Sequence, residues 1–304
     1  MTVSAPYEVL FELARGGMGR VELARRQEGS FVRLYAVKRL HDAHDGELVR
    51  MLREEARLSG LLRHANVVPV VDFGDDEAGP YLVMDFIEGV TAAELVARVS
   101  ARGERLPLGV ACRIALDAAR GLGAIHGLAD VDGRPLHLVH RDVSPQNLLI
   151  GWDGVTRVGD LGVAKAHAGS AARTRTGLLK GRLGYMAPER LRFEAADHRC
   201  DLFALGVVLT ELLSGARLYG GQDEAAIARA IFDEPPPDWG LVRNGVPPAL
   251  VELGFRLLAK SRDDRPRDAD EVARVLEDAL VEISLREGPA STNVEAYLAS
   301  ALAT

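Results

Sequence analysis

Over the first 90 residues the apolar positions come in short β-branched and aromatic runs. These are Val21 to Ala24, Tyr35 to Arg39, Val67 to Phe73 and Tyr81 to Phe86, separated by glycine and Asp-Gly-type turn residues. Such runs predict a small antiparallel sheet. One segment breaks the pattern: Leu48, Met51, Leu52, Leu58, Leu61 and Leu62 recur at helical intervals among Arg and Glu. Beyond Glu88-Gly89 helical periodicity takes over, with helices expected over 92–100, 108–126, 200–214, 223–232, 248–258 and 268–285. Pro107 opens the second of these, where the first N–H has no helical partner to lose. The expected architecture is α+β in two lobes: residues 1–88 form the sheet with its one helix, and 89–287 a larger helical lobe. Residues 288–304 end in an amphipathic pattern of Val294, Tyr297, Leu298 and Leu302, a docking or capping helix.

Composition narrows the classes. With 47% hydrophobic and 27% charged residues in 304, the chain resembles an ordinary globular protein long enough for a sizeable core. A net charge of -7 gives no overall attraction to nucleic acid or to an anionic membrane, and neither is expected as a partner. The most apolar stretch, Leu202 to Leu213, contains Glu211 and falls short of the ~20 residues that span a bilayer. Cys112 and Cys200 stand alone, without metal-ligand spacing, as reduced packed thiols. No basic start followed by an apolar run opens the N-terminus, so a cytoplasmic location is expected.

Three features carry chemistry. Leu13-Ala14-Arg15-Gly16-Gly17-Met18-Gly19-Arg20-Val21 is a glycine-rich turn between strand-like runs, able to bring backbone N–H groups close to phosphate. Tyr35-Ala36-Val37-Lys38 ends a strand on a lysine, which needs a carboxylate partner to be held over an anion. Glu54 and Glu55 follow in the helix, and Glu55 shares the inward stripe with Met51, Leu52 and Leu58. The most specific run is Val139-His140-Arg141-Asp142-Val143-Ser144-Pro145-Gln146-Asn147-Leu148-Leu149-Ile150, followed by Gly159-Asp160-Leu161-Gly162. His-Arg-Asp with Asn five places after the Asp arises by chance on the order of 0.002 times in this length.

With Ala187-Pro188-Glu189 downstream, these residues resemble the signature set of the protein kinases over roughly residues 7 to 285, and of the bacterial Ser/Thr kinases in particular. The phrase HRDVSPQN and the preceding insertion from Gly127 to His137 are similar to the myxobacterial members. The resemblance implies the bilobal protein-kinase fold and transfer of the ATP γ-phosphoryl group to Ser or Thr hydroxyls of protein substrates, with autophosphorylation in trans within a dimer. It implies that Lys38 holds the α/β-phosphates and pairs with Glu55. Asn147 and Asp160 ligate Mg²⁺, or Mn²⁺ in its place, through oxygen, as a hard cation prefers. Asp142 accepts or orients the substrate hydroxyl proton. Leu13, Gly16, Gly17 and Gly19 cover the nucleotide; Val21, Ala36 and Leu149 sandwich the adenine; Met84 is the gatekeeper, and the backbone from Asp85 to Ile87 meets the base edge. Thr174 and Thr176 are candidate phosphosites, answered by Arg141. Glu189 with Arg265 resembles a buried structural ion pair, and Asp201 the residue that braces the His-Arg-Asp loop.

Four positions depart from the family pattern: Ala14 for the first loop glycine, Leu161 for the Asp-Phe-Gly phenylalanine, Ser144 for the catalytic-loop lysine, and Arg182 where the family has threonine. The last two suggest a reciprocal exchange, with Arg182 reaching back to Ser144 and supplying the lost charge to the phosphate. A nucleotide-binding pseudokinase scaffold is the alternative reading. Retention of Lys38, Glu55, Asp142, Asn147 and Asp160 speaks for activity.

Overall fold

The computed structural model describes residues 6–16, 19–43, 45–161, 182–221 and 223–302, and the chain divides into two compact units, the first running to Ile87 and taking up the chain again at Leu161, the second holding the described residues 88–160 and 182–302. In the first unit, β1 (Glu8–Arg15), β2 (Gly19–Glu28), β3 (Phe31–Leu40), β4 (Val70–Asp76) and β5 (Gly79–Asp85) form an antiparallel sheet in the order β1-β2-β3-β5-β4. Among the described residues of this unit the one helix, α1 (Gly46–Ser59), starts at Asp45, whose carboxylate accepts from the N–H groups of Glu47 and Leu48 at 2.9 and 3.2 Å.

Register divides the sheet into two faces. Val21 pairs with Lys38, Lys38 with Leu82 and Ala36 with Met84, so these five share one face. Tyr35, Val37, Tyr81 and Val83 take the other, where Tyr7 packs edge-on against Tyr35 and Tyr81 and closes a small apolar cluster. The guanidinium of Arg39 stacks 4.6 Å from the Tyr81 ring and pairs with Asp76 at 2.7 Å, so this charge is buried with partners rather than alone. Gly19, where β2 begins, lies against β3 so closely that a Cβ would stand 2.0 Å from the Arg39 carbonyl; only glycine fits.

The second unit begins with β6 (Gly89–Thr91), which pairs with β7 (Leu148–Gly151), itself paired with β8 (Thr156–Val158). Thr91 starts α2 (Ala92–Ala101) with a reciprocal capping box to Glu94. α3 (Leu108–His126) is buried along most of its length. It is followed, after the short α4 (Pro188–Leu191), by α5 (Arg199–Ser214), almost wholly buried, as its near-continuous apolar sequence requires. The remaining helices are α6 (Glu224–Asp233), α7 (Trp239–Val242), α8 (Pro248–Leu257), α9 (Ala269–Glu287) and α10 (Val294–Ala301). α3 packs against both α5 and α9. The C-terminal segment docks on this unit, burying Val294 and Leu298, and Gly109 of α3 makes room for it: a Cβ there would stand 2.5 Å from the Ser291 carbonyl. Among the described residues no helix is long and apolar enough to cross a membrane.

Candidate active site

In the first unit the site centres on an ion pair hung on regular elements. Lys38 ends the apolar run of β3, and its Nζ lies 2.7 Å from the Glu55 carboxylate on α1. Glu55 is buried at 3% exposure, whereas Glu54 points away and pairs with Arg57 at 2.6 Å. A carboxylate so deeply buried calls for a cation beside it. Of the glycine-rich turn, Gly16 donates its N–H to the Gly19 carbonyl at 2.8 Å, while Gly17 lies outside the described residues. The ring Nε2–H of His41 donates to the Gly16 carbonyl at 2.7 Å, a tie from the end of β3 to the turn. Leu13 is exposed on β1. Val21, Ala36 and Met84 share the face of Lys38. Asp85 turns to the other face; its N–H donates to the Pro69 carbonyl at 2.9 Å and its carboxylate accepts from Arg33 at 2.6 Å, and Ile87 ends the unit.

In the second unit the site is a loop of irregular backbone held by buried polar groups. Arg141 and Asp160 sit in the left-handed region, at φ 65 and 54, conformations a side-chain-bearing residue keeps only when its surroundings hold it there. Asp201, at the start of α5, supplies that hold at Arg141. Its Oδ2 accepts from the His140 N–H at 2.7 Å and from His126 Nε2–H at 2.9 Å, and its Oδ1 from the Arg141 N–H at 2.8 Å. Burial pushes the Asp201 carboxyl up. The His126 hydrogen bond, the neighbouring imidazoles and the Arg141 N–H outweigh it and leave the pKa below the ordinary value. From the other side, Arg190 of α4 donates to the Arg141 carbonyl at 2.6 Å, and the His140 ring donates to the Gly159 carbonyl at 3.0 Å.

The chemistry-bearing side chains follow from this scaffold. Asn147 ends the 3₁₀ turn Pro145–Asn147, and its Nδ2 donates to both the carbonyl and the carboxylate Oδ2 of Asp142, at 2.7 and 2.9 Å. Its amide nitrogen is thereby used, and the polar atom it has left is an oxygen. Asn147 and Asp160 thus offer the hard oxygen donors that suit Mg²⁺, which takes one or two protein ligands and completes its shell with phosphate and water. Leu149 lies half-buried on β7, alternating with the buried Leu148 and Ile150, and Leu161 is buried.

One expectation is corrected. Arg182 does not reach Ser144. Its guanidinium donates to Asp142 Oδ2, and the Ser144 hydroxyl, 1% exposed, has no hydrogen-bond partner. The reason is electrostatic: a buried carboxylate attracts a cation more strongly than a neutral hydroxyl does. Desolvation lowers the Arg182 pKa, yet a guanidinium starts so high that it stays charged. Thr174 and Thr176 lie outside the described residues. Glu189 and Arg265 form a bidentate pair at 2.7 and 2.8 Å, almost wholly buried. His41, His126 and Arg190 are the positioning residues that sequence reasoning overlooked; no spacing rule pointed to any of them.

Comparison with known proteins agrees with this geometry. Residues 7–274 match the family model for the protein kinase domain. The tyrosine-protein kinase MasK of Myxococcus xanthus is 35% identical over 283 residues, covering 91% of this chain and 43% of MasK. The serine/threonine-protein kinase PknL of Mycobacterium tuberculosis is 35% identical over 262 residues, covering 86% of this chain and 62% of PknL. This chain therefore spans less than two thirds of either relative. Among solved structures, the M. tuberculosis PknI kinase domain superposes with a TM-score of 0.66 at 25% identity, covering 90% of this chain and 96% of that one.

Proposed function

Because the chain belongs to the protein kinase family, we propose that it transfers the γ-phosphoryl group of ATP to Ser or Thr hydroxyls of proteins, its own Thr174 and Thr176 among them. In this reading Lys38, steadied by Glu55, acts on the α/β-phosphates, and Asp142, Asn147 and Asp160 act on the transferred group. The bond from the γ-phosphorus to the ADP oxygen breaks, a bond to the acceptor hydroxyl oxygen forms, and the hydroxyl proton passes to the Asp142 carboxylate. Such a transition state is loose, so positioning and charge neutralisation supply most of the acceleration. A bound Mg²⁺, held by Asn147 and Asp160, would neutralise phosphate charge.

The observation that carries the reading is the double hydrogen bond from Asn147 to Asp142, which fixes a candidate base beside a candidate metal ligand in a loop braced by Asp201. A pseudokinase scaffold would need neither the base nor that brace. Two buried free cysteines suit a reducing cytoplasm. The similar proteins are named for different acceptors, tyrosine for MasK and serine/threonine for PknL, so the acceptor must be measured. Purified protein with labelled ATP and Mg²⁺ should label itself and a protein substrate on Ser and Thr, and Asp142→Asn should cut this to a small residual rate. Equal incorporation in the two proteins would defeat the proposal, and label confined to phosphotyrosine would overturn its acceptor assignment.

A further inference from the structure

Arg182 is the feature of the second unit that this reaction leaves unexplained. It follows directly on the segment 162–181 and begins the 3₁₀ turn Leu183–Tyr185, whose own anchorage is strong. Tyr185 OH donates to the buried Glu211 carboxylate at 2.7 Å, the Tyr185 N–H returns to the Arg182 carbonyl at 3.1 Å, and Gly184 is pressed so close to Tyr219 that a Cβ would stand 2.3 Å from its carbonyl. The backbone root of Arg182 is therefore pinned, and only the side chain remains to be placed.

That side chain goes to Asp142 Oδ2, the same oxygen that accepts from Asn147. Two donors on one oxygen fix the rotation of a carboxylate, because turning the group about its Cβ–Cγ bond breaks both at once. One donor is a neutral amide and the other a cation. With Asp142 at 8% exposure, an ionised carboxylate needs positive charge beside it to offset its desolvation, and the Arg182 guanidinium supplies such charge. Ser144, two residues along the same loop, contributes a neutral hydroxyl without a partner and so brings no charge. Arg182 brings it from 40 residues away.

Building on the kinase reading above, we propose that Arg182 is a positioning residue for the base: its guanidinium clamps the Asp142 carboxylate in the rotamer that meets the acceptor hydroxyl, in place of any cation from the catalytic loop. Its work lies in the transfer step and not in holding nucleotide. Removing it should lower kcat and leave KM for ATP unchanged.

The experiment compares wild type, Arg182→Gln, Arg182→Lys and both glutamine-for-arginine and wild-type arginine in an Asp142→Asn background. Arg182→Gln should lose on the order of 10²-fold in kcat, the scale of a misplaced catalytic group, with KM for ATP held. Arg182→Lys should recover most of the loss, since a point charge suffices for the clamp. In the Asp142→Asn background Arg182→Gln should add almost nothing, because the group it positions is gone. A second readout needs no turnover: the side-chain amide resonance of Asn147, assigned by its disappearance in Asn147→Ser, should move in nucleotide-free Arg182→Gln and hold in Arg182→Lys. Unchanged kcat, a rise in KM instead of a fall in kcat, or a gain in kcat would each overturn the clamp, the last by making Arg182 a brake. If wild type transfers no more phosphate than Asp142→Asn, the kinase reading is what has failed, and the Asn147 resonance alone then decides whether Arg182 holds the carboxylate.

Discussion

The two units solve the same problem, holding charged groups in fixed places, by opposite means. In the first, Lys38 and Glu55 are carried by a strand and a helix whose positions follow from ordinary periodicity, and an ion pair at 2.7 Å joins them. In the second, the loop from His140 to Asn147 has little regular structure and includes a left-handed residue. Its shape is imposed by Asp201, Arg190 and His126, which lie from 14 to 61 residues away in the chain. Regular elements satisfy their own backbone, so a site built on them needs few buried polar groups; an irregular loop must have its N–H and C=O groups met from elsewhere. Stability in the second unit should accordingly depend far more on single buried charges.

The largest test of that difference is Arg265→Met. The guanidinium meets both carboxylate oxygens of Glu189 and also donates to the carbonyls of Ala259, Arg199 and Lys260. Its loss strands a buried carboxylate and should cost about 3–5 kcal/mol in urea denaturation. A loss below about 1 kcal/mol would break the comparison, since the second unit would then tolerate an uncompensated buried charge.

Next in size is Asp201→Asn. An amide can place one oxygen where the carboxylate has two, so either the Arg141 N–H, or the His140 N–H and His126 Nε2–H together, are left facing a second donor. About 2–3 kcal/mol should be lost. The folded pKa of Asp201 is depressed, so its contribution is complete above the ordinary value of 3.8 and fades only as pH falls through the lower, folded value. Between pH 5 and 8 the gap between wild type and Asp201→Asn should stay constant.

The first unit should respond differently. Lys38→Met leaves Glu55 buried beside a thioether, and the carboxyl can relieve this by taking up a proton, so the stability cost should be only about 1–3 kcal/mol. Lys38→Met with Glu55→Gln should regain most of it, while phosphoryl transfer stays absent in both. Failure of the double variant to recover stability would show that this pair, too, belongs to a wider network.

How much of this was legible in sequence follows the same division. The helical stripe that predicts α1 also separates Glu55 from Glu54, because inward position is a matter of spacing. The order of elements and the change from sheet to helices near Glu88 were likewise readable from period. In the second unit the residue types and spacing of Asp142, Asn147 and Asp160 were visible, and resemblance pointed to Asp201 and to Glu189 with Arg265. The partners that shape the loop were not. His126 ends α3 and serves Asp201 on α5, and nothing in either segment announces the other. Arg182 was misassigned to Ser144 for the same reason. Its departure from the family pattern was plain, but which of two groups in one loop it met depended on charge and three-dimensional reach.

The smallest expected effect tests whether burial of charge always stabilises the second unit. Glu211 lies on α5 with Asp201, also buried, accepting from Tyr185 OH and from the Leu218 N–H at 3.3 Å. Here burial outweighs both hydrogen bonds, and the carboxyl is pushed above its ordinary 4.5. A carboxyl raised by folding costs stability where it is ionised, at pH above its folded value. The cost vanishes as pH falls toward 4.5. Glu211→Gln should therefore change stability at pH 8 by less than about 1 kcal/mol, since it gives up one charge-assisted bond and is relieved of a poorly solvated charge. As pH is lowered the wild type should gain on the variant, opposite in direction to the loss that acid brings at Asp201. A stability difference that does not move between pH 8 and pH 5 would mean that Glu211 is held as firmly ionised as Asp201, and that the second unit meets every buried carboxylate in full.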